Sequence, residues 1–561
     1  MPSGVSAGNI SRRSLLEIAR GIHRTTTNKG GPSESPVSLP SATTAPQKDA
    51  DNRSYPQRRV RRCFPLEKHH FGIWPRRKHQ QQQQTPEDFH QLLVQKIQSA
   101  QKRVYLASLY IGPAVCRQKY DKEADLLAAL SDIPDAVEVK ILLDRNRALR
   151  PVPVTQTNAD SHSAITSTTT TTSAEACRQA LQSSFTTRST AAAADANISK
   201  NHSIHLFSVL PAALQKILRN PVDEVMGVFH IKVYIIDDEL ILSGANLSQE
   251  YFADRTDRYL WICQGGAGLV DCYSDLVQVL CDHAHEYHGP DSPAVRSSSA
   301  GKEREPLVEA LERVLTVDAA KAAAENLLPD DSDNGATTLV AYAVPTFQAP
   351  AHFNIHPRIC SDVETVHQLL SSAADSCSVH MATAYLNPTD AMIAACHKAT
   401  AVHMLTAGYV SHGFKPKNKA GNKGKAWIPT VFSVLALKAL EKFPANNGHL
   451  WYYQRPDWTF HAKGIWLSDA TVDVDKSFSP RISSPLYMVT HGSGNFGGRS
   501  EYIDMESNLL LLLPSKSPLQ STFRAEWNSL CNFASSRDSS ESDKPLAWYL
   551  RMALPYIRTF F

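Results

Sequence analysis

The sequence predicts an α/β protein made of two similar lobes in one chain, each with a central mixed β-sheet flanked by helices. Two observations predict this fold. Amphipathic helical segments alternate with short, almost wholly apolar strand-like segments, which is typical of buried sheets covered by helices. In addition, one series of short motifs occurs twice in the same order, which indicates a duplicated fold.

The repeated series has four members in each half of the chain: an apolar strand-like segment, a His-x-Lys pair opening an apolar run, a Gly/Asn segment, and an acid 11 residues after the Asn. In the first half they are LASLYIG (106–112), His230 with Lys232, GAN (Gly244 to Asn246) and Asp257. In the second half they are MATAYLN (381–387), His461 with Lys463, GSGN (Gly492 to Asn495) and Glu506. A single match of this kind is weak, but four in the same order are not.

The helices and strands follow from local patterns. A helix over PEDFHQLLVQKIQSAQKR is predicted by the spacing of its apolar residues, and a second over KEADLLAALSD. The other strand-like segments of the first half are VEVKILLD, SIHLFSVL, HIKVYIIDD, LILSGAN and RYLWICQ. In the second half the helix VETVHQLLSSAADSC precedes strand-like AVHMLTA, HLWYYQR, HAKGIWLSD, LYMVTHGSGN and SNLLLLLP.

Composition divides the chain into four parts. We expect 1–85 to be a transit peptide followed by a disordered basic and Gln-rich tail, and 86–290 to be the first lobe, with a low-complexity surface insertion at 151–200. A linker region at 291–345 and a second lobe at 346–561 follow. No apolar run is long enough to predict a transmembrane helix.

Charge is distributed unevenly along the chain. Residues 1–78 carry 15 Lys and Arg against 5 Asp and Glu, whereas the remainder carries 43 against 50. The start of the chain is Arg-rich, Ser-rich and acid-poor, and SRRSLLEIARGIHR can form an amphipathic helix, as in mitochondrial transit peptides; the alternative is a disordered basic tail. The acidic body argues against a nucleic-acid binder.

The His-x-Lys pairs suit phosphoryl transfer. An imidazole can act as nucleophile or as acid and base, while the ammonium and the Asn amide can hold phosphate oxygens. Two histidines facing each other could divide the transfer into two displacements. Such a site needs no metal or other cofactor, because the lysines supply positive charge. Ten cysteines without a CxxC pair give no zinc pattern either.

These motifs resemble those of the phospholipase D superfamily, HxKxxxxD followed by a Gly-Ser-x-Asn-like segment. The first copy matches through His230, Lys232 and Asp237, with GAN as a contracted second segment. The second copy matches at His461, Lys463, Gly492, Ser493 and Asn495, but has Ser468 in place of the aspartate. The resemblance implies two phospholipase D-like lobes that share one site.

A narrower resemblance is to the mitochondrial CDP-diacylglycerol–glycerol-3-phosphate 3-phosphatidyltransferases, whose second motif also lacks the aspartate. The segments that carry it are HIKVYIIDDELILSGANLSQEYFADRTDRYL, HMLTAGYVSHGF…KGKAWIP, WTFHAKGIWL, GSGNFGGRS and LPYIRTFF. This resemblance covers about 90–550. It implies transfer of a phosphatidyl group from CDP-diacylglycerol to glycerol 3-phosphate, through a phosphatidyl-histidine, by a peripheral protein on the matrix side of the mitochondrial inner membrane.

The resemblance also implies roles for individual residues. His230 would be the nucleophile and His461 the acid and base, although the sequence alone does not fix this order. The phosphoryl oxygens would be bound by Lys232, Lys463, Asn246, Ser493 and Asn495. Asp237, Asp257 and Glu506 would orient histidines or lysines. Because Asp469 lies one residue late and points to the other face of a regular strand, we expect His461 to be oriented by Glu506 or by a carboxylate of the first half.

Three alternatives remain open at this stage. Another phosphatidyltransferase, such as a cardiolipin or phosphatidylserine synthase, would carry the same motifs, as would a phosphodiesterase or nuclease. A catalytically inactive lipid-binding protein is the third. Two further segments remain ambiguous: the lysine-rich 412–429 is either a solvated loop or a mouth for anionic ligands, and the terminal WYLRMALPYIRTFF is either a docked helix or a membrane contact. The sequence does not give the oligomeric state.

Overall fold

The structure is a computed structural model. It describes residues 59–72, 85–114, 121–157, 166–188, 199–211, 226–290, 305–318, 339–355, 362–373, 377–415, 427–444, 447–470, 480–538 and 546–558, together with 15, 18, 19, 214, 224, 295 and 296. Within these residues, every helix is too short or too polar to cross a membrane.

The strands are short and mostly buried. They are β1 Arg59–Arg61, β2 Phe64–Glu67, β3 Arg103–Ser108, β4 Glu138–Asp144, β5 Val152–Thr157, β6 Thr166–Thr171, β7 His202–Phe207, β8 Val233–Ile236, β9 Glu239–Ser243, β10 Arg255–Thr256, β11 Tyr259–Ile262, β12 His285–Glu286, β13 Val295–Arg296, β14 Thr316–Asp318, β15 Leu339–Gln348, β16 Cys377–Thr383, β17 Ala401–Ala407, β18 Gly448–Tyr453, β19 Thr459–Phe460, β20 Gly464–Asp469, β21 Leu486–Gly492, β22 Glu506–Leu512 and β23 Ala534–Ser535.

The helices cover the faces of the sheets. They are α1 Pro86–Gln98, α2 Lys122–Ser131, α3 Arg145–Ala148, α4 Ser173–Arg188, α5 Gln249–Ala253, α6 Leu269–Asp282, α7 Leu307–Leu315, α8 Asp362–Ala373, α9 Asp390–Cys396, α10 Ile428–Leu440, α11 Gly498–Tyr502, α12 Leu519–Leu530 and α13 Trp548–Ile557. Helix α1 begins as its sequence predicts: Thr85 and Asp88 form a capping box around Pro86 at the first position.

Two large mixed sheets share the same internal strand order. The first runs β11-β9-β8-β3-β4-β7-β12-β13, and the second runs β2-β15-β22-β21-β20-β16-β17-β18-β23. In each sheet three consecutive strands are parallel, β3-β4-β7 and β16-β17-β18, and the three on the other side are antiparallel. The duplication predicted from the repeated motifs is therefore confirmed as two copies of one six-stranded unit.

The sheets are buried on both faces, which explains their apolar runs. All seven residues of β22, ESNLLLL, are buried, and so are all seven of β16. A strand covered on both sides has no solvated face and hence no polar alternation. The apolar side of α6, with Leu269 and Leu276, packs in the main core together with residues of both sheets, such as Leu242 and Leu509.

The expectation of disorder through residue 85 is wrong for residues 59–72. Strand β2 pairs with β15 of the second sheet, while Phe71 forms a bridge with Ile262 at the edge of the first sheet. Phe64 and Leu66 are buried in the main core. A basic composition concealed these two apolar side chains, which anchor the segment across both lobes. The Gln-rich run at 79–84 lies outside the described residues.

Two other predicted boundaries are also corrected. In the 151–200 insertion, α4 packs against the first lobe and buries Cys177 and Leu181, because its small and apolar residues lie on one face. In the 291–345 linker, α7 buries Leu311 and Leu315 in the main core. Strand β15 begins at Leu339, so the second sheet starts before residue 346.

The amphipathic segment near the start of the chain is described at three residues. Leu15 and Ala19 are buried in the core of the second lobe, with Ile18 packed beside them. Arg61 donates a hydrogen bond to the carbonyl oxygen of Ala19 at 3.2 Å. The rest of the predicted transit peptide lies outside the described residues.

A histidine ladder, defined as His380, His403 and His449, crosses the three parallel strands of the second sheet. The three residues are register partners. Their rings stack with centroids 4.9 Å and 4.8 Å apart. Burial lowers the pKa of each ring, to about 3 for His403. The ladder is therefore neutral at physiological pH.

Candidate active site

Each His-x-Lys segment lies just before a strand and is held by the opposite lobe. The backbone N–H of His230 donates to the carbonyl oxygen of Met505 at 2.9 Å. The backbone N–H of His461 donates to the carbonyl oxygen of Thr256 at 2.8 Å. Each accepting carbonyl belongs to the residue immediately before the repeat's acid, so the two contacts are related by the duplication.

The two acids are exchanged between the lobes. Nδ1 of His230 lies 3.0 Å from both carboxylate oxygens of Glu506. Nδ1 of His461 lies 2.7 Å from Oδ2 of Asp257. All four side chains are buried. A carboxylate at Nδ1 favours a proton there and leaves Nε2 as the reactive nitrogen, as in other His–carboxylate pairs. At His461, Nζ of Lys463 also lies 2.7 Å from Nδ1. The partner of His461 is thus a carboxylate of the first half, while Glu506 serves His230.

The two lysines lie directly beneath the histidines. Nζ of Lys232 donates to the carbonyl oxygen of His230 at 2.7 Å. Nζ of Lys463 donates to the carbonyl oxygen of His461 at 2.8 Å and lies 4.0 Å from Asp257. Both lysines are 2% exposed, which is rare for an ammonium and places two cations inside the site.

Burial moves the pKa values of these groups toward neutrality. It lowers the pKa of Lys232 to about 7 and that of Lys463 to about 8. It raises the pKa of Glu506 to about 7 and also raises the pKa of Asp257, against the opposing charge of Lys463. An incoming phosphate would favour the charged lysines, so the site is suited to bind one.

The Gly/Asn segment of the first half closes the site beside His461. A Cβ on Gly244 would lie 2.6 Å from Asp257 and 2.9 Å from Nζ of Lys463, so only glycine permits this approach. Nδ2 of Asn246 donates to the hydroxyl of Tyr251 at 3.0 Å. That hydroxyl is 3.4 Å from Nε2 of His461.

The corresponding segment of the second half lies beside Glu506. The hydroxyl of Ser493 bonds with Ser507, and the hydroxyl of Ser500 donates to Glu506 at 2.9 Å while accepting the backbone N–H of Asn495. The side-chain oxygen of Asn495 has no partner among the described residues. This oxygen can accept a hydrogen bond from a ligand hydroxyl, whereas binding to a phosphate would use the Nδ2–H groups of the same amide.

Arg258 joins the lobes behind Lys463. Its Nη1 donates to the carbonyl oxygens of Lys463 at 2.7 Å and of Thr490 at 2.8 Å. A Cβ on Gly464 would lie 1.9 Å from this nitrogen, which explains the glycine immediately after the motif lysine. Nε and Nη2 of the guanidinium both donate to the carboxylate of Glu526. Arg258 thus fixes the backbone on which Lys463 is mounted.

The structure does not bring Asp237 to the histidines, and its predicted place in the catalytic group is corrected. It lies in the turn between β8 and β9 with φ of 52°. Its carboxylate accepts the backbone N–H groups of Gln101, Lys102 and Arg103. The motif aspartate therefore holds the turn to the start of β3, at the far end of β8 from His230.

The second half manages without an aspartate at this position. The hydroxyl of Ser468 donates to the carbonyl of Asp469 and lies 3.2 Å from Nε2 of His380. The carboxylate of Asp469 accepts the hydroxyl of Tyr487. Neither residue contacts His461 in the described structure. Because the motif aspartate is a turn residue in the first half, its replacement by serine leaves the histidine pair intact.

Several residues of the site carried no signal in the sequence. These residues are not shared between the two copies of the repeat and lie outside its motifs: Tyr251, Arg255, Arg258, Ser500 and Asp504. The sequence signal that could have identified them is their position near the acids of the repeat. Arg258 directly follows Asp257, and Asp504 lies two residues before Glu506. No group of three or more His, Cys, Asp or Glu residues suited to a metal ion occurs within the described ranges.

The comparisons with known proteins agree with this geometry. No family model matches the chain. It is 26% identical over 503 residues to the human mitochondrial CDP-diacylglycerol–glycerol-3-phosphate 3-phosphatidyltransferase, covering 85% of this chain and 82% of that protein. It is also 26% identical over 475 residues to the enzyme of the same name from Saccharomyces pastorianus, covering 80% and 81%. The predicted resemblance to these proteins is confirmed.

Among solved structures, phosphatidylserine synthase of Haemophilus influenzae matches with a TM-score of 0.54, at 18% identity, covering 85% of this chain and 94% of that one. The chain has the two-lobed phospholipase D fold. In this chain the two His-x-Lys segments meet between the lobes, where each histidine contacts an acid of the other lobe. The predicted fold class is confirmed.

Proposed function

We propose that this chain transfers the phosphatidyl group of CDP-diacylglycerol to the 1-hydroxyl of glycerol 3-phosphate, releasing CMP and forming phosphatidylglycerophosphate. The observation that carries the proposal is the crossed pair of buried histidine–carboxylate contacts, His230 with Glu506 and His461 with Asp257. Two relatives similar over most of their length are named for this reaction. Such a product is a precursor for phosphatidylglycerol and cardiolipin.

The reaction proceeds in two displacements. Nε2 of His230 attacks the phosphatidyl phosphorus, a P–N bond forms, and the P–O bond to CMP breaks while His461 donates a proton to CMP. Neutral His461 then takes the proton of the glycerol 3-phosphate hydroxyl, whose oxygen attacks phosphorus and displaces His230. Lys232 and Lys463 neutralise the negative charge that develops on the phosphoryl oxygens, and the amide of Asn495 donates a hydrogen bond to them.

The test supplies purified protein in lipid vesicles with CDP-diacylglycerol and labelled glycerol 3-phosphate. We expect equimolar CMP and labelled phosphatidylglycerophosphate. His230→Ala and His461→Ala should each abolish turnover, while His397→Ala, an exposed histidine, serves as the matched control. Use of serine or phosphatidylglycerol as acceptor, or hydrolysis of nucleic acid, would contradict the proposal in favour of another phospholipase D-type activity.

The order of the histidines has its own test. His461→Ala retains the nucleophile but lacks the acid of the first step and the base of the second. Because CMP can leave as an anion whereas the acceptor hydroxyl must lose a proton, the second step should be slowed more, so label from CDP-diacylglycerol should remain on a peptide that contains His230. Label trapped on His461 in the His230→Ala variant would reverse the two roles.

A lipid substrate also requires contact with a membrane. We place this contact at an apolar rim, defined as Phe414, Leu437, Trp548, Tyr549 and Met552, which are exposed large apolar side chains. Helices α10 and α13 pack together through one small core, and Tyr385 of that core lies with its ring 6.2 Å from the ring of His461. The rim therefore adjoins the site. The terminal helix is docked on the protein and also presents aromatic residues outward.

We infer that the chain acts on the matrix side of the mitochondrial inner membrane as a peripheral protein, since the human relative is named as mitochondrial. Vesicle sedimentation tests the surface contact. Replacing Trp548, Tyr549 and Met552 together by serine should reduce binding to anionic vesicles. Tyr502→Ser, which removes an exposed aromatic outside the rim, is the matched control. Equal binding by both variants would place the membrane contact elsewhere.

A further inference from the structure

The duplication makes one position of the site asymmetric in charge. Thr256 and Met505 are equivalent, because their carbonyls hold the two histidines. The residues before them, Arg255 and Asp504, are therefore equivalent too, and they carry opposite charges. The His461 end of the site has a cation where the His230 end has a carboxylate.

Both carboxylate oxygens of Asp504 are hydrogen-bonded to other groups of the protein. It accepts the backbone N–H of Val228 at 3.0 Å and is paired with Arg499, whose Nε lies 2.8 Å from Oδ2. These contacts neutralise it and fix the segment that leads to His230. The equivalent space at the His230 end is thus closed by protein groups.

The guanidinium of Arg255 uses only some of its hydrogen-bond donors within the protein. Its guanidinium lies over the ring of Tyr251 at 4.3 Å, and Nη2 donates to Glu250 at 2.6 Å. The arginine is 8% exposed, yet its Nε–H has no acceptor among the described residues. A buried N–H without an acceptor costs on the order of 1–3 kcal/mol, so an acceptor from a ligand is expected here.

His412 presents a second buried donor in the same region. Its Nδ1 accepts the backbone N–H of Phe414 at 3.2 Å. The pKa of the ring is lowered to about 3 by burial and by Arg255, so the ring is neutral and its proton must lie on Nε2. This N–H is also without an acceptor in the described part of the chain, although the residue is 3% exposed.

Tyr385 and Gly413 connect the two donors to the reaction centre. The ring of Tyr385 lies 5.5 Å from the ring of His412 and 6.2 Å from the ring of His461. A Cβ on Gly413 would lie 2.8 Å from the hydroxyl of Tyr385 and 3.9 Å from Nη2 of Arg255. The glycine therefore leaves open the space toward which the arginine and the tyrosine hydroxyl approach.

We propose that Arg255 and His412 form a second phosphate subsite, which holds the phosphate monoester of the acceptor and selects glycerol 3-phosphate over glycerol. The inference rests on the proposed function, since it concerns the acceptor of that reaction. A guanidinium and an imidazole N–H suit a phosphate dianion, and the subsite lies at the His461 end, where the acceptor hydroxyl loses its proton. CMP is also a phosphate monoester, so the test separates the two ligands.

The experiment compares Arg255→Gln and His412→Phe with wild type in lipid vesicles. Three rates are measured: transfer to glycerol 3-phosphate, transfer to glycerol, and exchange of labelled CMP into CDP-diacylglycerol without any acceptor. Arg255→Gln should lower kcat/KM for glycerol 3-phosphate about 10- to 100-fold more than it lowers CMP exchange, as expected for a lost charge-assisted hydrogen bond. His412→Phe should show the same pattern with a smaller loss.

Arg313→Gln, which removes an exposed arginine, is the matched control and should match wild type in all three rates. The preference for glycerol 3-phosphate over glycerol should shrink in Arg255→Gln and be partly restored in Arg255→Lys. Should Arg255→Gln fail to fold, His412→Phe carries the same comparison.

Two results would overturn the subsite. Equal losses in acceptor transfer and in CMP exchange would assign these donors to the nucleotide or to the fold. Unchanged kcat/KM for glycerol 3-phosphate in both variants would leave the donors without a ligand role. A wild-type protein that exchanges CMP but ignores glycerol 3-phosphate would instead contradict the proposed function itself.

Discussion

Replacing Asp257 by asparagine tests whether the crossed carboxylates, rather than the motif aspartate, support the histidines. The carboxylate lies 2.7 Å from Nδ1 of His461 in a buried position. Asparagine has nearly the same shape but no charge, and its amide can turn an N–H toward Nδ1. His461 would then carry its proton on Nε2 and could no longer accept one from the acceptor hydroxyl.

The expected size of the loss follows from these contacts. A hydrogen bond to a charged group contributes about 1.5–3 kcal/mol, and the wrong tautomer adds to this. An analogous Asp→Asn change in a serine protease triad lowers kcat about 10⁴-fold. We therefore expect Asp257→Asn to lower kcat between about 10² and 10⁴-fold, with a smaller effect on KM for CDP-diacylglycerol.

Asp237→Asn is the matched comparison, since Asp237 belongs to the His-x-Lys motif but its carboxylate accepts the backbone N–H groups of Gln101, Lys102 and Arg103. Asparagine keeps one acceptor oxygen and tolerates the positive φ of 52°. This variant should keep kcat near wild type and lose about 1 kcal/mol of unfolding free energy. The assay is CMP release together with thermal unfolding. Our reasoning would fail if Asp237→Asn lost more kcat than Asp257→Asn while both remained folded.

Three further predictions concern pH and packing. Because burial raises the pKa of Glu506 to about 7 and lowers that of Lys232 to about 7, kcat/KM should be highest near pH 7. Glu506→Gln should remove the rising limb of the profile and keep the falling one; a rising limb that persists would contradict the assignment. The pKa of His403 is lowered to about 3 in the folded state, so below pH 6.5 the unfolded state binds the proton more readily. Wild type should therefore lose stability as pH falls below 6.5. The unfolding temperature of His403→Phe should fall less steeply between about pH 8 and pH 5. Gly464→Ala should lower activity more than 10-fold, because the new Cβ would displace Arg258. Gly265→Ala, at a positive φ but in open space, should cost about 1 kcal/mol of stability and keep activity. Equal activities of the two variants would contradict the clash between a Cβ at position 464 and Arg258.

The sequence was sufficient for the duplication because buried sheets leave a strong pattern. Strands covered on both faces read as short apolar runs, and the two His-x-Lys pairs with their spaced acids recur in order. The same pattern did not reveal which acid meets which histidine. That pairing depends on how the two lobes face each other, and no spacing within one lobe contains this information.

Local composition gave a wrong prediction where a few buried side chains, rather than the average composition, determine the structure. Residues 59–72 are basic, yet Phe64 and Leu66 are buried and β2 joins the second sheet. The motif aspartate Asp237 is read together with its histidine because the two are close in sequence. In the structure β8 separates them, since a strand carries residues apart at about 3.3 Å each.

The exchange of acids explains why the second motif can lack its aspartate without losing function. Each histidine depends on the opposite lobe for its backbone position and its carboxylate, so neither lobe contains a complete site. A change at position 468 affects a strand within one lobe, whereas a change at 257 or 506 affects the centre that both lobes share. The equivalent positions 255 and 504 differ in charge although the carbonyl of the next residue holds a histidine in both lobes. If Arg255 holds the acceptor phosphate as we propose, the opposite charges of Arg255 and Asp504 give the two ends of the site different ligands, in line with the different roles proposed for His230 and His461.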